Sequence, residues 1–379
     1  MRSEASDLGE HVLHVDADAR LCGHAERVLE RSGLMEALRP VEWGGQAADP
    51  VDFFAVVIEL SSALPSLGWV AGVMGVHQFE VAVAGHEVAR AVWGSDRGRG
   101  WVATPYAERG TAYPDGNGFL LSGTWEYSTG FSLADWLCIG GRIHAPDGSS
   151  VGRVFTVPKS EAHAKDDSWN VLGLRGTGSL TFSVPKTFVK DSLVYDPSAA
   201  IEGQTSLGSS YSGSVFRMPR QSMLGSAISA ATIGAGLGYL RWFAENNGKR
   251  LKGTSRKPAV EDPTILSNLS CAAADCESAV DTLLVGLRYI HDASAGGDDL
   301  SYSERLRFKR NCVNAVHRLG ESLGRLFAMS GGAGLQETSI GQCLWRDFVA
   351  GRNHNSHVYE WLLRYGRDYY GIEYTGGVV

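Results

Sequence analysis

The chain has 379 residues, 44% hydrophobic and 20% charged, with a formal net charge of -7. That apolar content supports a large core and excludes disorder as the main state, and a pI of 5.9 argues against nucleic acid as a partner. The 47 glycines, well above the usual share of about 7%, follow no Gly-X-Y period, so they belong in turns and close backbone contacts.

The amino terminus, Met1 to Asp7, turns acidic without an apolar run, which predicts no secretory signal. The 6 cysteines are scattered with no CxxC, the usage of reduced thiols in a cytoplasmic protein rather than of a zinc site or disulfide framework. His11 and His14, beside Asp16 and Asp18, read as exposed terminal residues.

Residues 1–98 read as an N-terminal helical domain. Pro50 stands near a helix start, and Val51, Phe54, Val57, Ile58 and Leu60 keep near-3.6 spacing. Pro65 interrupts, and Gly68 to Val83 resumes as an apolar buried helix. Residues 99–200 change texture to a middle β domain, with hairpin signals at Asp115-Gly116-Asn117-Gly118 and Pro146-Asp147-Gly148. A Gly/Ser-rich link over Gly203 to Gly213 leads into residues 201–379, a C-terminal bundle of four helices. The first is Ser222 to Asn246 and the second runs from Asp262-Pro263 to about His291. The third opens on a capping box at Ser301 to Glu304, and the fourth spans about Gly341 to Tyr365. Gln221 to Leu240 is uncharged and long enough to cross a bilayer. Its Ala, Gly, Ser and Thr content predicts a buried bundle helix instead. The predicted fold class is mainly α with a central β domain.

Gly234-Ala235-Gly236-Leu237-Gly238 lacks the preceding strand and following acid of a dinucleotide loop, so close helix packing is expected there. No Walker A, HExxH or GxSxG occurs. His354 and His357, three apart on the predicted fourth helix, lack an acidic companion, and no metal site is expected. His77 lies in an apolar run, where a satisfied core histidine competes with a buried acid or base.

Several stretches in one order carry a resemblance: Pro40 to Gly45, Ser66 to Ala71 followed by His77, Leu121 to Gly130, Gly173 to Ser179, and Trp345-Arg346-Asp347 to His354. The chain resembles the acyl-CoA dehydrogenase fold, which implies a middle β-barrel between an N-terminal helical domain and a C-terminal four-helix bundle, and within that fold it resembles the two-component flavin-dependent monooxygenases such as 4-hydroxyphenylacetate and 3-hydroxy-9,10-secosteroid hydroxylases. Ser122-Gly123-Thr124-Trp125-Glu126-Tyr127-Ser128-Thr129-Gly130 is similar to that family's SGxWxFxSG stretch. The dehydrogenases' catalytic Glu, counted from Asp347, falls on Asn355 here, and a dehydrogenase needs that carboxylate as its base.

The resemblance implies an oxygenase component that takes reduced FAD or FMN from a separate reductase. With O2 it would hydroxylate a phenol, indole or polycyclic substrate through a flavin hydroperoxide. Trp125 and Tyr127 would wall the flavin, and Ser128 or Thr129 would offer a hydroxyl to its N5. Arg175 and Arg250 would hold its phosphate, possibly across a subunit interface of a dimer or tetramer. Thr104 would place a hydroxyl near the substrate, where His77 and His354 would converge as base and orienting partner. Departures from the family pattern at Thr104, Thr129 and Phe131-Ser132-Leu133 bear on the substrate more than on the flavin. N-hydroxylation of an amine, acyl-CoA dehydrogenation and an inactive flavin-binding scaffold are the alternatives.

Overall fold

A computed structural model describes residues 7–94, 98–197, 211–248, 250, 258–297 and 300–372. The described residues run helices, then sheet, then helices, as the texture of the sequence predicts. Residues 203–210 of the Gly/Ser-rich link lie outside the described residues.

The first segment carries α1 (Val12–Asp18), α2 (Gly23–Arg31), α3 (Pro50–Ala63), α4 (Pro65–Ala84) and α5 (His86–Trp93). Asp49 caps α3 by accepting from the Val51 amide, with Pro50 at the first helical position, worth about 1 kcal/mol. Leu64 adopts an extended conformation, because Pro65 disfavours the helical region for the residue before it. Pro65 therefore ends α3 and starts α4 in a single step.

The sheet contains β1 (Val102–Ala103), β2 (Gly110–Asp115), β3 (Gly118–Ser128), β4 (Trp136–His144), β5 (Ser150–Pro158), β6 (His163–Lys165), β7 (Leu180–Lys190) and β8 (Val194–Tyr195). Its order is β6-β7-β3-β2-β4-β5-β8, with β1 parallel to β4 off that path. Among the described residues β6 and β8 are not paired to one another, so backbone pairing does not close the expected barrel. Two irregularities bend the β3–β7 ladder. Pro185-Lys186 oppose the single residue Ser122, where a proline amide has nothing to donate. Further along, Glu126 and Tyr127 oppose the single residue Thr181, and Tyr127 takes a positive φ of 60°. This bulge turns Ser128 into the protein.

The second helical segment carries α6 (Arg220–Asn247), α7 (Pro263–Gly296), α8 (Tyr302–Ala328), α9 (Ile340–Arg352) and α10 (Glu360–Tyr369). Helix α6 is the central strut and packs on α3, α4, α7, α8 and α9. The close approach predicted for its glycines is present: a Cβ on Gly234 would stand 2.4 Å from the Ile58 carbonyl oxygen, and one on Gly238 2.3 Å from that of Ser62. Helices α4 and α6 are long and apolar enough to cross a membrane, yet 89% of each apolar window is buried inside the molecule. Ser301 and Glu304 form the predicted capping box of α8.

The expected fourth helix is broken. Helix α9 stops at Arg352, a short 3-10 turn covers Asn355–His357, and α10 begins at Glu360. Side chains compete for the backbone there: His354 Nδ1 accepts from the Ser356 amide at 3.0 Å, and His357 Nδ1 meets the Gly351 carbonyl at 3.0 Å. His354 and His357 therefore sit in a turn, not three apart on a helix face.

Candidate active site

Helix α4, the ends of β1 and β3, the loop before β7 and the turn after α9 meet in one region. Trp69 on α4 links them. Its Nε1 donates to Thr129 Oγ1 at 3.3 Å, and its ring meets the His354 ring edge-on at 5.6 Å. Thr129 from the sheet and His354 from the bundle are thus brought together through an indole that the sequence reading did not single out. Nothing in a helix buried on nearly every side distinguishes Trp69 from core by periodicity.

The hydroxyls beyond Trp69 form a directed chain. Thr177 donates to the Leu174 carbonyl at 2.8 Å, which uses its one hydrogen. Its contact with Ser179 at 2.8 Å must then be donated by Ser179, and the Thr129–Ser179 contact at 3.0 Å by Thr129. Thr129 Oγ1 therefore donates to Ser179, accepts from Trp69 and keeps one lone pair free. The loop carrying Thr177 is pinned by the Arg-Asp pair of α9. Arg346 bonds Asp16 at 2.8 Å, Asp347 accepts from the Leu174 amide, and a Cβ on Gly173 would strike the Arg346 carbonyl at 2.2 Å. Burial raises the Asp347 pKa to about 7, partly offset by that amide.

The two candidate histidines are held in opposite tautomers. His77 Nδ1 lies 3.0 Å from the Val102 carbonyl, an acceptor only, so Nδ1 carries the hydrogen and Nε2 keeps its lone pair. His354 Nδ1 accepts an amide hydrogen, so in the neutral ring the hydrogen sits on Nε2. His77 is 3% exposed, and burial lowers its pKa to about 4; the Val102 bond opposes this and the positive charge of Arg220 adds to it. His354 is exposed to solvent. The surrounding protein, and then the charge of Lys309, lower its pKa below the ordinary histidine range.

His77 and His354 have separate supports. Each is oriented by a backbone group, and they flank the region from different places: His354 on Trp69, His77 eight residues further along α4, about 12 Å of helix. Around His77 stand Tyr106, edge-on at 6.0 Å, and Arg220, whose guanidinium lies 4.4 Å from the centre of the Tyr106 ring. Arg220 pairs with buried Glu80 at 2.7 Å, and Tyr195 donates to the same carboxylate at 3.0 Å.

The remaining sequence candidates divide. Thr104 follows β1, two residues from the carbonyl that fixes His77, and its hydroxyl is buried without a partner among the described residues. The Tyr106 and Ser128 hydroxyls are likewise buried and unpartnered among them. Trp125 is not a wall for any ligand. It is fully buried in the sheet core, its Nε1 on the Gly140 carbonyl at 2.8 Å and its ring stacked on Phe182 at 5.6 Å. Tyr127 is 71% exposed, edge-on to Trp169 at 6.0 Å.

Arg175 is committed to the protein, donating to the Asp16 carbonyl at 2.8 Å and to Asn170 and Val171 at 3.3 Å each. Arg250 lines a surface cleft with Trp242, Asn247 and Ser330. Asn247 is 18 residues along α6 from Ser229, the residue that meets His357, or about 27 Å. Within one chain Arg250 does not join the site.

The free lone pair of Thr129 beside the Trp69 indole, with the unpartnered hydroxyls of Ser128, Thr104 and Tyr106, suits a flat heteroaromatic group with polar edges, as a flavin ring has. The fold and this site define a flavoenzyme of the acyl-CoA dehydrogenase architecture. The family model "Acyl-CoA dehydrogenase, C-terminal domain" matches residues 226–359. The oxygenase subunit HsaA of a flavin-dependent monooxygenase from Rhodococcus jostii (strain RHA1) is 31% identical over 376 residues, 98% of this chain and 97% of that one. The oxygenase component of an FADH(2)-dependent resorcinol hydroxylase from Rhizobium sp. (strain MTP-10005) is 29% identical over 91% of this chain and 86% of its own. The crystal structure of 3-HSA hydroxylase from Rhodococcus sp. RHA1 superposes with a TM-score of 0.91 at 29% identity, covering 99% of this chain and 97% of that one. The chain belongs to the oxygenase components of the two-component flavin-dependent monooxygenases, and it is a flavin-using oxidoreductase.

Proposed function

We propose that this oxygenase binds its flavin in the reduced state against Thr129 and hydroxylates a small aromatic compound of the phenol, indole or polycyclic class. The directed hydroxyl chain carries the reading, because the lone pair left on Thr129 Oγ1 suits the N–H that a reduced flavin bears at N5 and an oxidised one lacks. Bound reduced flavin supplies the two electrons with which one atom of O2 enters the substrate and the other leaves as water. The names of the resorcinol and 3-HSA hydroxylase relatives support a hydroxylated aromatic substrate.

His77 Nε2 takes the proton of a substrate hydroxyl or ring N–H, and Thr104 Oγ1 orients that group. His354 Nε2–H donates to an oxygen atom on the other side of the region. Trp69 and Met74, buried on the helix that carries His77, exclude water from that side of the region. The reduced flavin comes from a separate reductase. Arg250 contributes only from a second copy of the chain, in keeping with a cytoplasmic homo-oligomer, a dimer or tetramer.

Anaerobic titration with reduced and oxidised FAD and FMN tests this. Reduced flavin is expected to bind about tenfold tighter, the worth of one hydrogen bond of roughly 1.4 kcal/mol. Thr129→Val should remove most of that preference; equal affinity for both redox states in the unaltered protein refutes the reading.

A further inference from the structure

Trp69, Thr129, Ser179, Thr177 and Leu174 form one line of hydrogen bonds, at 3.3, 3.0, 2.8 and 2.8 Å in that order. Both ends of the line are groups of fixed polarity. An indole N–H only donates and a backbone carbonyl only accepts, whereas each hydroxyl between them does both. One arrangement of the three hydroxyl hydrogens satisfies both ends, and in it every hydrogen points from Trp69 toward Leu174.

The two hydroxyls behind Thr129 are shut off from solvent, Thr177 and Ser179 each being 3% exposed. Bulk water does not compete for their hydrogens, so the protein alone sets their direction. The terminal acceptor is itself held. Leu174 takes a φ of 55°, uncommon for a residue with a side chain, and the Asp347 carboxylate accepts from its amide.

Backbone groups fasten the same parts without help from the hydroxyls. The Thr177 amide donates to the Leu174 carbonyl at 3.1 Å, and the Gly130 amide, next to Thr129, donates to the Thr177 carbonyl at 3.3 Å. The Thr177 hydroxyl is therefore not what keeps the loop in place. Its effect is on direction. Hydrogen bonds running in one sense polarise one another, which strengthens the lone pair that Thr129 presents. With one link lost, the Thr129 hydrogen comes free and the site offers a donor instead of an acceptor.

On the proposed reading that flavin lies against Thr129, we infer that Thr177 and Ser179 are the positioning residues that select its redox state, by holding the Thr129 hydrogen away from flavin N5. A reduced flavin bears a hydrogen at N5 and needs the acceptor; an oxidised one bears a lone pair there and needs a donor. The choice is made at the Leu174 carbonyl, three residues removed from the hydroxyl that meets the flavin.

Thr177→Val keeps the shape of the side chain and removes its hydroxyl. Ser179 is then left with a hydrogen for Thr129, and Thr129 turns its own toward the flavin. Dissociation constants for reduced and oxidised FAD and FMN, measured under nitrogen, read the change. Oxidised flavin should bind Thr177→Val about three- to tenfold tighter than it binds the unaltered protein, the worth of one hydrogen bond, which brings the preference for reduced flavin near one. Thr177→Ser restores the donor and should keep the preference. Ser179→Ala removes the acceptor of the Thr129 hydrogen and should likewise tighten oxidised flavin, so it carries the test alone if Thr177→Val lowers the thermal midpoint. Damage to a structural contact does not produce such a gain. Weaker binding of both redox states with no gain for the oxidised one, a preference unmoved in both variants, or Thr177→Ser behaving as Thr177→Val overturns the inference and leaves the proposed function standing. Equal affinity for both redox states in the unaltered protein, which is read first, overturns the two together.

Discussion

Acidification puts the tautomer of His77 to a quantitative test. The ring is 3% exposed and its pKa falls to about 4 from an ordinary 6.5. The unfolded chain takes up a proton on this histidine below pH 6.5, whereas the folded chain resists until about pH 4. Stability rises with pH wherever the unfolded state binds more protons. The contribution is therefore complete above pH 6.5 and is lost progressively as the pH falls toward 4. Each pKa unit is worth about 1.4 kcal/mol, so the full span is about 3 kcal/mol, most of which has gone by pH 4.5. Asp347 acts in the opposite sense. Its raised pKa of about 7 stabilises the fold at low pH, and that effect fades as the pH rises from 3.8 toward 7. A wild-type curve would mix the two. Comparison with His77→Gln isolates the histidine, since the amide can still donate to the Val102 carbonyl yet cannot be protonated. Urea unfolding of both proteins at pH 7, 6, 5 and 4.5 should show the variant gaining about 2 to 3 kcal/mol relative to wild type across the series. A difference that stays flat within about 0.5 kcal/mol refutes the buried neutral ring, and with it the base-ready Nε2.

The other expectations concern the site and its supports. His77→Gln should lower hydroxylation at neutral pH by about 10²–10⁴ with reduced-flavin affinity unchanged, followed as product formed per O2 consumed. His354→Ala should cut product yield while reduced flavin still binds; a wild-type yield removes His354 from the chemistry. Trp125→Phe leaves the Gly140 carbonyl without its indole partner, at a cost of about 1–3 kcal/mol seen in the unfolding midpoint. Flavin affinity should not move, whereas a large loss of it would return Trp125 to the flavin wall.

The sequence carries the order of helices and sheet because proline, capping residues and turn dipeptides act locally. Asp49-Pro50, Asp262-Pro263 and the Ser301 capping box all form as read. The tight packing of Gly234 and Gly238 was legible for a similar reason: with no strand ahead of them, close helix contact was the physical use left. The break after α9 was not legible. It depends on the imidazoles of His354 and His357 capturing backbone groups, and apolar spacing carries no trace of that. The site itself was half legible. Thr129, Thr104, His77 and His354 came from ordered motifs, yet Trp69 and Ser179 acquire meaning only from long-range neighbours. Trp125 misled because an aromatic on a strand can face either side of a sheet, and the register that decides it is set by β7. Arg175 misled in the same way, since its partner Asp16 lies 159 residues away.

The extra residue in β3 has an implication for how such a site tolerates change. Side chains in a strand alternate between faces, so one additional residue between Trp125 and Ser128 reverses the facing of Ser128 at the end of β3 and re-aims the turn that carries Thr129. The orientation of Thr129 is thus a property of counting as much as of residue type. Deleting Glu126 or Tyr127 would leave every functional side chain in the chain and still present Thr129 to the wrong side of the sheet. Substitutions at Glu126 are neutral by this logic, those at Tyr127 must still accept its positive φ of 60°, length changes abolish activity, and insertions at the opposite bulge of Pro185-Lys186 lie too far along the ladder to compensate.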